Sequence, residues 1–261
     1  MRFARDFFTF AFSIYFYPMG THSRLSMLSP SSPNLNFLKA LVSVDCVIFG
    51  FADNELKVLL IKSDLEVYKN KWSLLGDLVR PSEDLESASY RVLKDRTGLS
   101  DVYLEQVNTF SAIDRHPGGR VITTAFYSLV NIKDHQLKLS HNELHWHPVG
   151  EIAGLAFDHD KILQTCIKKL QDQILEHPIV FNLLPEKFSL RELQSLYESI
   201  LKTKLDRRNF RKKFFLMNWL TDLEELETEV SHRPGKLYKF NNICIKDLKA
   251  SEIFSSQEMI N

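Results

Sequence analysis

Two apolar runs separated by a polar tetrapeptide open the patterned part of the chain. Residues 40–51 read ALVSVDCVIFGF and residues 56–63 read LKVLLIKS, with ADNE between them. Both runs are rich in β-branched and aromatic residues and the break carries turn formers, so the pattern predicts a β-hairpin. KWSLLG (71–76) leads into a segment where the apolar spacing changes to that of a helix. The helix is predicted to start at Ser82 or Glu83 and run to about Thr97, with Gly98 closing it. Strands are predicted at 102–113 and 120–130, joined by DRHPGG (114–119), and HWHPVGEIAGL (145–155) reads as a last strand running into a short helix. This order of hairpin, helix, long strands and final helix implies a compact α+β domain.

Beyond residue 156 the pattern becomes helical. Residues 159–177 place Ile162, Leu163, Cys166, Ile167, Leu170 and Ile174 on one side of a helix that Pro178 stops. IVFNLLP (179–185) reads as a short strand. Residues 189–201 form a helix with a capping box, Ser189 and Glu192. After the turn KTKLD comes a further helix, 207–218, with Asp206 as its N-cap. Strands near 219–226 and 237–240 flank SHRPGK (231–236), and the whole reads as a winged helix-turn-helix.

Composition adds limits. A chain of 261 residues with 44% hydrophobic and 25% charged residues is an ordinary globular protein of one large or two small domains. Cys46, Cys166 and Cys244 lie far apart, with neither disulfide nor metal spacing, which suits a reducing compartment such as the cytoplasm. Residues 1–18 superficially resemble an export signal, but the apolar run from Phe7 to Tyr17 is shorter than the roughly 20 residues a membrane span needs. Residues 1–36 are therefore expected to be a disordered extension or a misassigned start, with Met19 and Met27 as later starts. The division expected is 37–156, 157–241 and a loose tail, 242–261.

The formal net charge is zero, yet its distribution is uneven. Between Glu186 and Lys213 there are nine basic and four acidic residues, so this segment carries +5 and the rest of the chain −5. Such a patch is suited to meeting a polyanion at one place. On the 207–218 helix, Phe210, Phe214 and Met217 fall on one side. Arg208, Asn209, Arg211 and Lys212 fall on the other, where Arg can read guanine and Asn adenine. With Arg207 and Lys213, and with Arg233 and Lys236 at the hairpin tip, they are the candidate DNA-binding residues.

The stretch GDLVRPSEDLESASYRVLKDRTGL (76–99) resembles the Nudix box, Gly-x5-Glu-x7-Arg-Glu-U-x-Glu-Glu-x-Gly-U with U aliphatic. Glu83, Arg91, Leu93, Gly98 and Leu99 match. Asp77 stands where the first Gly should be. Where the family carries helical glutamates that hold a divalent cation, this chain has Val92, Asp95 and Arg96. Mg²⁺ needs hard oxygen ligands in a near-octahedral set, which a valine, one aspartate and a cation do not supply. No metal site, no cofactor and no hydrolase activity are therefore expected.

SAIDRHPGGRV (111–121), FDHDKIL (157–163), FNLLPEKFSLRELQSLYESILKTKLDRRNFRKKF (181–214) and RPGKLYKFN (233–241) extend the likeness. The chain resembles Nudix-related bacterial transcriptional regulators, a degenerate Nudix domain fused to a C-terminal winged helix. The resemblance implies a Nudix-like α/β/α sandwich with a mixed sheet, followed by the DNA-binding domain. It implies a homodimer on a palindromic double-stranded DNA operator and a small-molecule effector in the Nudix cleft, without membrane association. Some members sense ADP-ribose and others a pentose such as arabinose; VDCVIFGF (44–51) and FNLLP look closer to the sugar-responsive type. Trp72, Asp77, Asp114, Arg115 and Arg120 are the candidate effector-binding residues. Two alternatives stand beside this reading: a hydrolase of nucleoside-diphosphate sugars with an atypical metal site, and a non-catalytic module whose basic domain binds another protein.

Overall fold

β1 (Leu41–Ala52) and β2 (Glu55–Lys62) form the expected hairpin, turning at Asp53 and Asn54 with φ of 55° and 62°. Asp and Asn tolerate this left-handed geometry, and two successive positive φ angles give the turn whose twist matches the strands. The computed structural model describes residues 39–63, 65–100, 102, 104–133, 144–176, 182–228 and 233–241. The expected N-terminal extension and C-terminal tail lie outside them.

β1 is the axis of a mixed, seven-stranded sheet. β6 (Val121–Val130) runs parallel to it, from Leu41 opposite Val121 to Gly50 opposite Val130. β5 (Leu104–Phe110) pairs antiparallel with β6. β4 (Leu75–Leu78) pairs antiparallel with the first half of β1. β3 (Trp72–Ser73) and β7 (Leu144–Pro148) both pair antiparallel with β2.

Side chains of β1 alternate between two apolar cores. Val44, Cys46 and Ile48 meet Ala88, Val92 and Leu93 of α1 (Leu85–Thr97). Val47, Phe49 and Phe51 belong to the opposite core, with Ile162, Cys166, Leu170 and Ile174 of α2 (His159–Glu176). Helices therefore cover both faces, which is the α/β/α sandwich expected. Fully burying one such side chain is worth roughly 1.5–3 kcal/mol, so β1 and its two helices hold much of the stability.

The α2-side core continues without a break into the second unit. There α3 (Leu190–Leu201) and α4 (Arg207–Leu216) pack against a small sheet of β8 (Phe188–Ser189), β10 (Lys236–Phe240) and β9 (Leu220–Leu226). Tyr197 of α3 meets Phe210 and Phe214 of α4 edge-on, at 5.5 and 5.3 Å between ring centres. Hydrogen bonds tie α3 to β2 and α2: the Leu56 N–H donates to Ser199 Oγ at 2.7 Å, and Gln171 Nε2 donates to the Ile200 carbonyl at 2.8 Å.

Three local expectations are corrected. The N-cap of α1 is Asp84, not Ser82 or Glu83, because its carboxylate accepts the Ser87 N–H at 2.7 Å. Glu83 is occupied elsewhere, as described below. The strand at 179–185 is not present in its described part: residues 182–184 form a tight turn that buries the adjacent Leu183 and Leu184 together. A strand would send them to opposite faces, and the pairing with β10 is made later, by Phe188 and Ser189. α4 ends at Leu216, with Asn218 at φ 51° just beyond it. Gly98 closes α1 as expected, at φ 74°, with its N–H donating to the Lys94 carbonyl.

Candidate functional site

The sequence builds α4 from its cap outward. Asp206 Oδ1 accepts the Asn209 N–H at 2.8 Å, starting the helix directly beneath Arg207 and Arg208. Phe210, Phe214 and Met217 are buried, while Arg207, Arg208, Arg211 and Lys212 are exposed and Asn209 and Lys213 half-buried. The helix N-terminus adds its own partial positive charge to that face. Glu198 of α3 shapes the turn before it, accepting from Lys204, Gln194 and the Leu205 N–H at 2.8, 2.8 and 3.1 Å. Between α3 and α4 opens a cleft of about 350 Å³ lined by Arg191, Gln194, Lys204, Arg207 and Arg211. A row of guanidinium and ammonium groups at a helix N-terminus is chemically suited to phosphate and to base edges.

The hairpin tip is less free. Lys236 Nζ donates to Asp222 Oδ2 at 2.7 Å across the two strands, which holds the Lys236 ammonium above its ordinary pKa. Arg233 and Gly235 are positioned by backbone: Arg191 donates to the Arg233 carbonyl at 3.5 Å, and the Gly235 N–H donates to Glu227 at 2.7 Å.

In the Nudix-like helix the retained residues form a clamp. Arg91 makes three hydrogen bonds to Glu83 (2.7, 2.9 and 3.2 Å), one to Asp77 (2.8 Å) and one to the Leu78 carbonyl (2.9 Å). The bond from Arg91 holds the Glu83 carboxyl below its usual range. Such a forked arrangement fixes geometry as well as charge. Val92 is fully buried in the core, while Asp95 and Arg96 are exposed. The glycine of the loop sits one residue before Asp77: a Cβ at Gly76 would lie 2.3 Å from Asp45 Oδ1, so nothing larger fits there.

A buried polar cluster occupies the other side of the sheet. Asp45, in the middle of β1, accepts from Thr123 Oγ1 at 2.8 Å and faces Arg115 and His159 at 3.4 and 3.5 Å. Arg115 forks onto Asp158 at 3.1 and 2.8 Å. Burial holds His159 below its ordinary pKa. Beside the cluster, His116 stacks on Phe157 with centres 5.1 Å apart, and Tyr68 tilts against Phe157 at 4.6 Å. Phe157 holds φ 56°, a conformation that costs an aromatic residue energy and persists only where its surroundings enforce it. The motifs SAIDRHPGGRV and FDHDKIL are thus one structural unit: each residue of Arg115-His116 meets a partner in Phe157-Asp158.

The expected effector residues are placed differently from one another. Arg115 is buried and committed to Asp158 and Asp45. Asp77 is committed through one oxygen to Arg91. Arg120 donates to the Ser111 carbonyl at 2.7 Å, and Asp114 is exposed on the loop tip. Trp72 packs its ring against His145 and His147 at 5.4 and 4.4 Å, with Lys62 Nζ over it at 4.9 Å. Sequence reasoning missed Asp45, Phe157, Asp158 and His159. The available signal was Asp45 itself, because a carboxylate inside a strand buried on both faces must find partners. Among the described residues, no group of three or more His, Cys, Asp or Glu side chains is arranged to hold a metal, and no helix is long and apolar enough to cross a membrane.

Residues 39–166 match the NUDIX domain and residues 180–240 match the NrtR DNA-binding winged helix domain. The ADPR responsive transcriptional repressor NtrR of Acinetobacter baylyi is 31% identical over 205 residues, 77% of this chain and 82% of that protein. An ADP-ribose pyrophosphatase of Methanocaldococcus jannaschii is 31% identical over 134 residues, 51% of this chain and 76% of that protein. Shewanella oneidensis NrtR, in a crystal structure with a 27mer DNA, superposes with a TM-score of 0.68 at 28% identity, covering 77% of this chain and 93% of that one. Domain order, sheet topology and likeness along most of the chain lead to one assignment: the protein belongs to the NrtR family of transcriptional regulators, a Nudix domain joined to a DNA-binding winged helix.

Proposed function

We propose that this protein is an effector-responsive repressor or activator that binds a palindromic operator as a homodimer in the cytoplasm, with α4 in the major groove. The observation that carries this reading is the division of α4 into a buried phenylalanine face and an exposed arginine face. Arg207, Arg208, Asn209, Arg211, Lys212 and Lys213 would meet the duplex, with Arg233 and Lys236 at its backbone. Two such helices related by a twofold axis would meet half-sites one helical turn apart.

The Nudix domain holds the effector without consuming it. Val92 and Arg96 stand where metal-binding carboxylates would be needed, which favours sensing over the hydrolysis that the Methanocaldococcus relative performs. An ADP-ribose-type nucleotide is the favoured effector, supported by the ADP-ribose response of the Acinetobacter relative. A pentose such as arabinose is the second reading, resting on the wording of residues 44–51 and 181–185. Asp77, Asp114, Arg115, Arg120 and Trp72 remain the proposed effector contacts; an effector reaching Arg115 must displace Asp158. Effector binding shifts DNA affinity only if the two DNA-binding states hold the effector unequally.

Fluorescence anisotropy with duplexes from the region upstream of its own gene tests this, at two salt concentrations, with and without ADP-ribose or arabinose. Salt-sensitive binding altered by one of the two supports the reading. Binding by Arg208→Ala and Arg211→Ala at wild-type strength would overturn the placement of α4.

A further inference from the structure

The outward face of α4 is not purely basic. Phe215 is 51% exposed and Leu216 is 73% exposed. At about 100° per residue, Phe215 lies within about 20° of Arg208 around the helix and between Arg211 and Lys212. It therefore sits near the centre of the exposed face, opposite Met217, which is buried. Its ring leans on Tyr238 of β10, with centres 5.9 Å apart. Two full turns separate it from Arg208, about 10 Å along the axis.

An exposed phenylalanine here needs a reason. Its aromatic neighbours on α4, Phe210 and Phe214, reach the core, and Phe215 points the other way. A protein-binding patch at this place would be ringed by Arg207, Arg208, Arg211 and Lys212, whose desolvation against an apolar partner is costly. The same ring of cations is complementary to DNA. Within the major groove, the apolar group exposed on a base edge is the C5-methyl of thymine, and Phe is among the side chains that contact it.

We infer that Phe215 is a specificity-determining residue that packs on a thymine methyl group in the operator. The inference rests on the DNA-binding reading above. Phe215 then reads sequence by apolar contact a few base steps away from Arg208, with its ring tilted against Tyr238. This contact carries no charge, so it contributes to sequence preference without contributing to counterion release.

The test uses the full-length chain and a duplex selected by it from a random-sequence pool. Each thymine of that duplex is replaced in turn by uracil, which lacks only the methyl. Wild type is expected to lose about fourfold in affinity at a particular thymine, the worth of one buried methyl-sized group. Phe215→Ala is expected to bind the thymine and uracil duplexes equally, while keeping the wild-type dependence of affinity on salt. Arg208→Ala is expected to lower the salt slope by about one and to keep the thymine preference. Thermal unfolding of Phe215→Ala checks that the fold survives, and the wild-type uracil series needs no variant at all. Uniform wild-type affinity across every uracil duplex overturns the inference while leaving DNA binding intact. No duplex bound by wild type overturns both. A Phe215→Ala protein that keeps its thymine preference but loses its dimeric state overturns it in favour of a protein contact.

Discussion

His159 Nδ1 accepts the backbone N–H of Leu74 at 3.0 Å, and this single bond sets the state of a buried histidine. A backbone amide can only donate, so Nδ1 carries a lone pair and the ring proton resides on Nε2. Nε2 faces Asp45 Oδ1 at 3.5 Å. Ser73 Oγ lies 3.1 Å from the same Nδ1. The imidazole thus links β1, β3 and the first turn of α2 as a neutral group.

The first prediction concerns pH. Burial places the folded-state pKa of His159 below 6.5, so the fold favours the neutral ring and protonation favours the unfolded chain. The stabilisation is present above 6.5 and is lost as pH falls through that value toward the folded-state pKa. The melting temperature of wild type should drop between about pH 7 and pH 5. His159→Gln should be less stable by about 1–3 kcal/mol at pH 7.5, leaving the Leu74 N–H poorly satisfied, and should lack this part of the slope. Parallel pH profiles for the two proteins would refute the assignment.

Arg115 offers the second. Its side chain is 3% exposed and neutralises Asp45 and Asp158, so Arg115→Ala leaves two carboxylates behind. A loss of about 3 kcal/mol is expected from denaturant unfolding, in the range for breaking a buried pair. Arg115→Lys should recover less than half, because an ammonium cannot fork onto Asp158. Full recovery by lysine would show that charge alone matters there.

A third prediction addresses the degenerate Nudix helix. Restoring the family residue with Val92→Glu puts a carboxylate where the wild-type side chain is fully buried. Destabilisation by at least about 3 kcal/mol is expected, with no release of phosphate-containing products from ADP-ribose in Mg²⁺. A stable variant that turns over ADP-ribose would mean that the helix kept its metal-ligating geometry.

The basic face should behave unequally, which is the fourth. Arg208→Ala and Arg211→Ala should each weaken duplex binding and lower the slope of log affinity against log salt by about one. Lys236→Ala should do less, since Asp222 already holds that ammonium. A Lys236→Ala effect as large as that of Arg208→Ala, read by anisotropy titrations at stepped salt, would place the hairpin tip against phosphate more firmly than the helix.

Ser199 supplies the fifth. β1 runs from Asp45 to the hairpin turn, and just past that turn the Leu56 N–H is bonded to Ser199 of α3. Ser199→Ala should cost about 1–2 kcal/mol and shrink the change in DNA affinity that effector produces, because a contact joining sheet to winged helix is gone. An unchanged effector response measured by anisotropy would remove this bond from the coupling.

Much of the fold was legible because it rests on local rules. The hairpin at Asp53-Asn54, the left-handed stop at Gly98 and the Ser189–Glu192 capping box follow from side chains within a few residues of one another. The two faces of α4 follow from helical period alone. In its described part the strand expected at 179–185 is absent for a related reason: a short apolar run does not reveal whether it will pair or fold under, and Leu183 and Leu184 fold under.

By itself the sequence determined most of the order of elements, the likeness to a known family, the absence of carboxylates at Val92 and Arg96, and the segregation of positive charge before Asn218. Only the tertiary structure decided which charges remain available. It joined Arg115 to Asp158 across 43 residues and to Asp45 across 70, and Arg91 to Asp77 across 14. The physical reason is that ion pairs depend on distance in space, and a parallel β1–β6 pairing with a helix laid over it brings together side chains that no local pattern connects. Arg207, Arg208 and Arg211 remain exposed because their helix buries Phe210 and Phe214 on its opposite face.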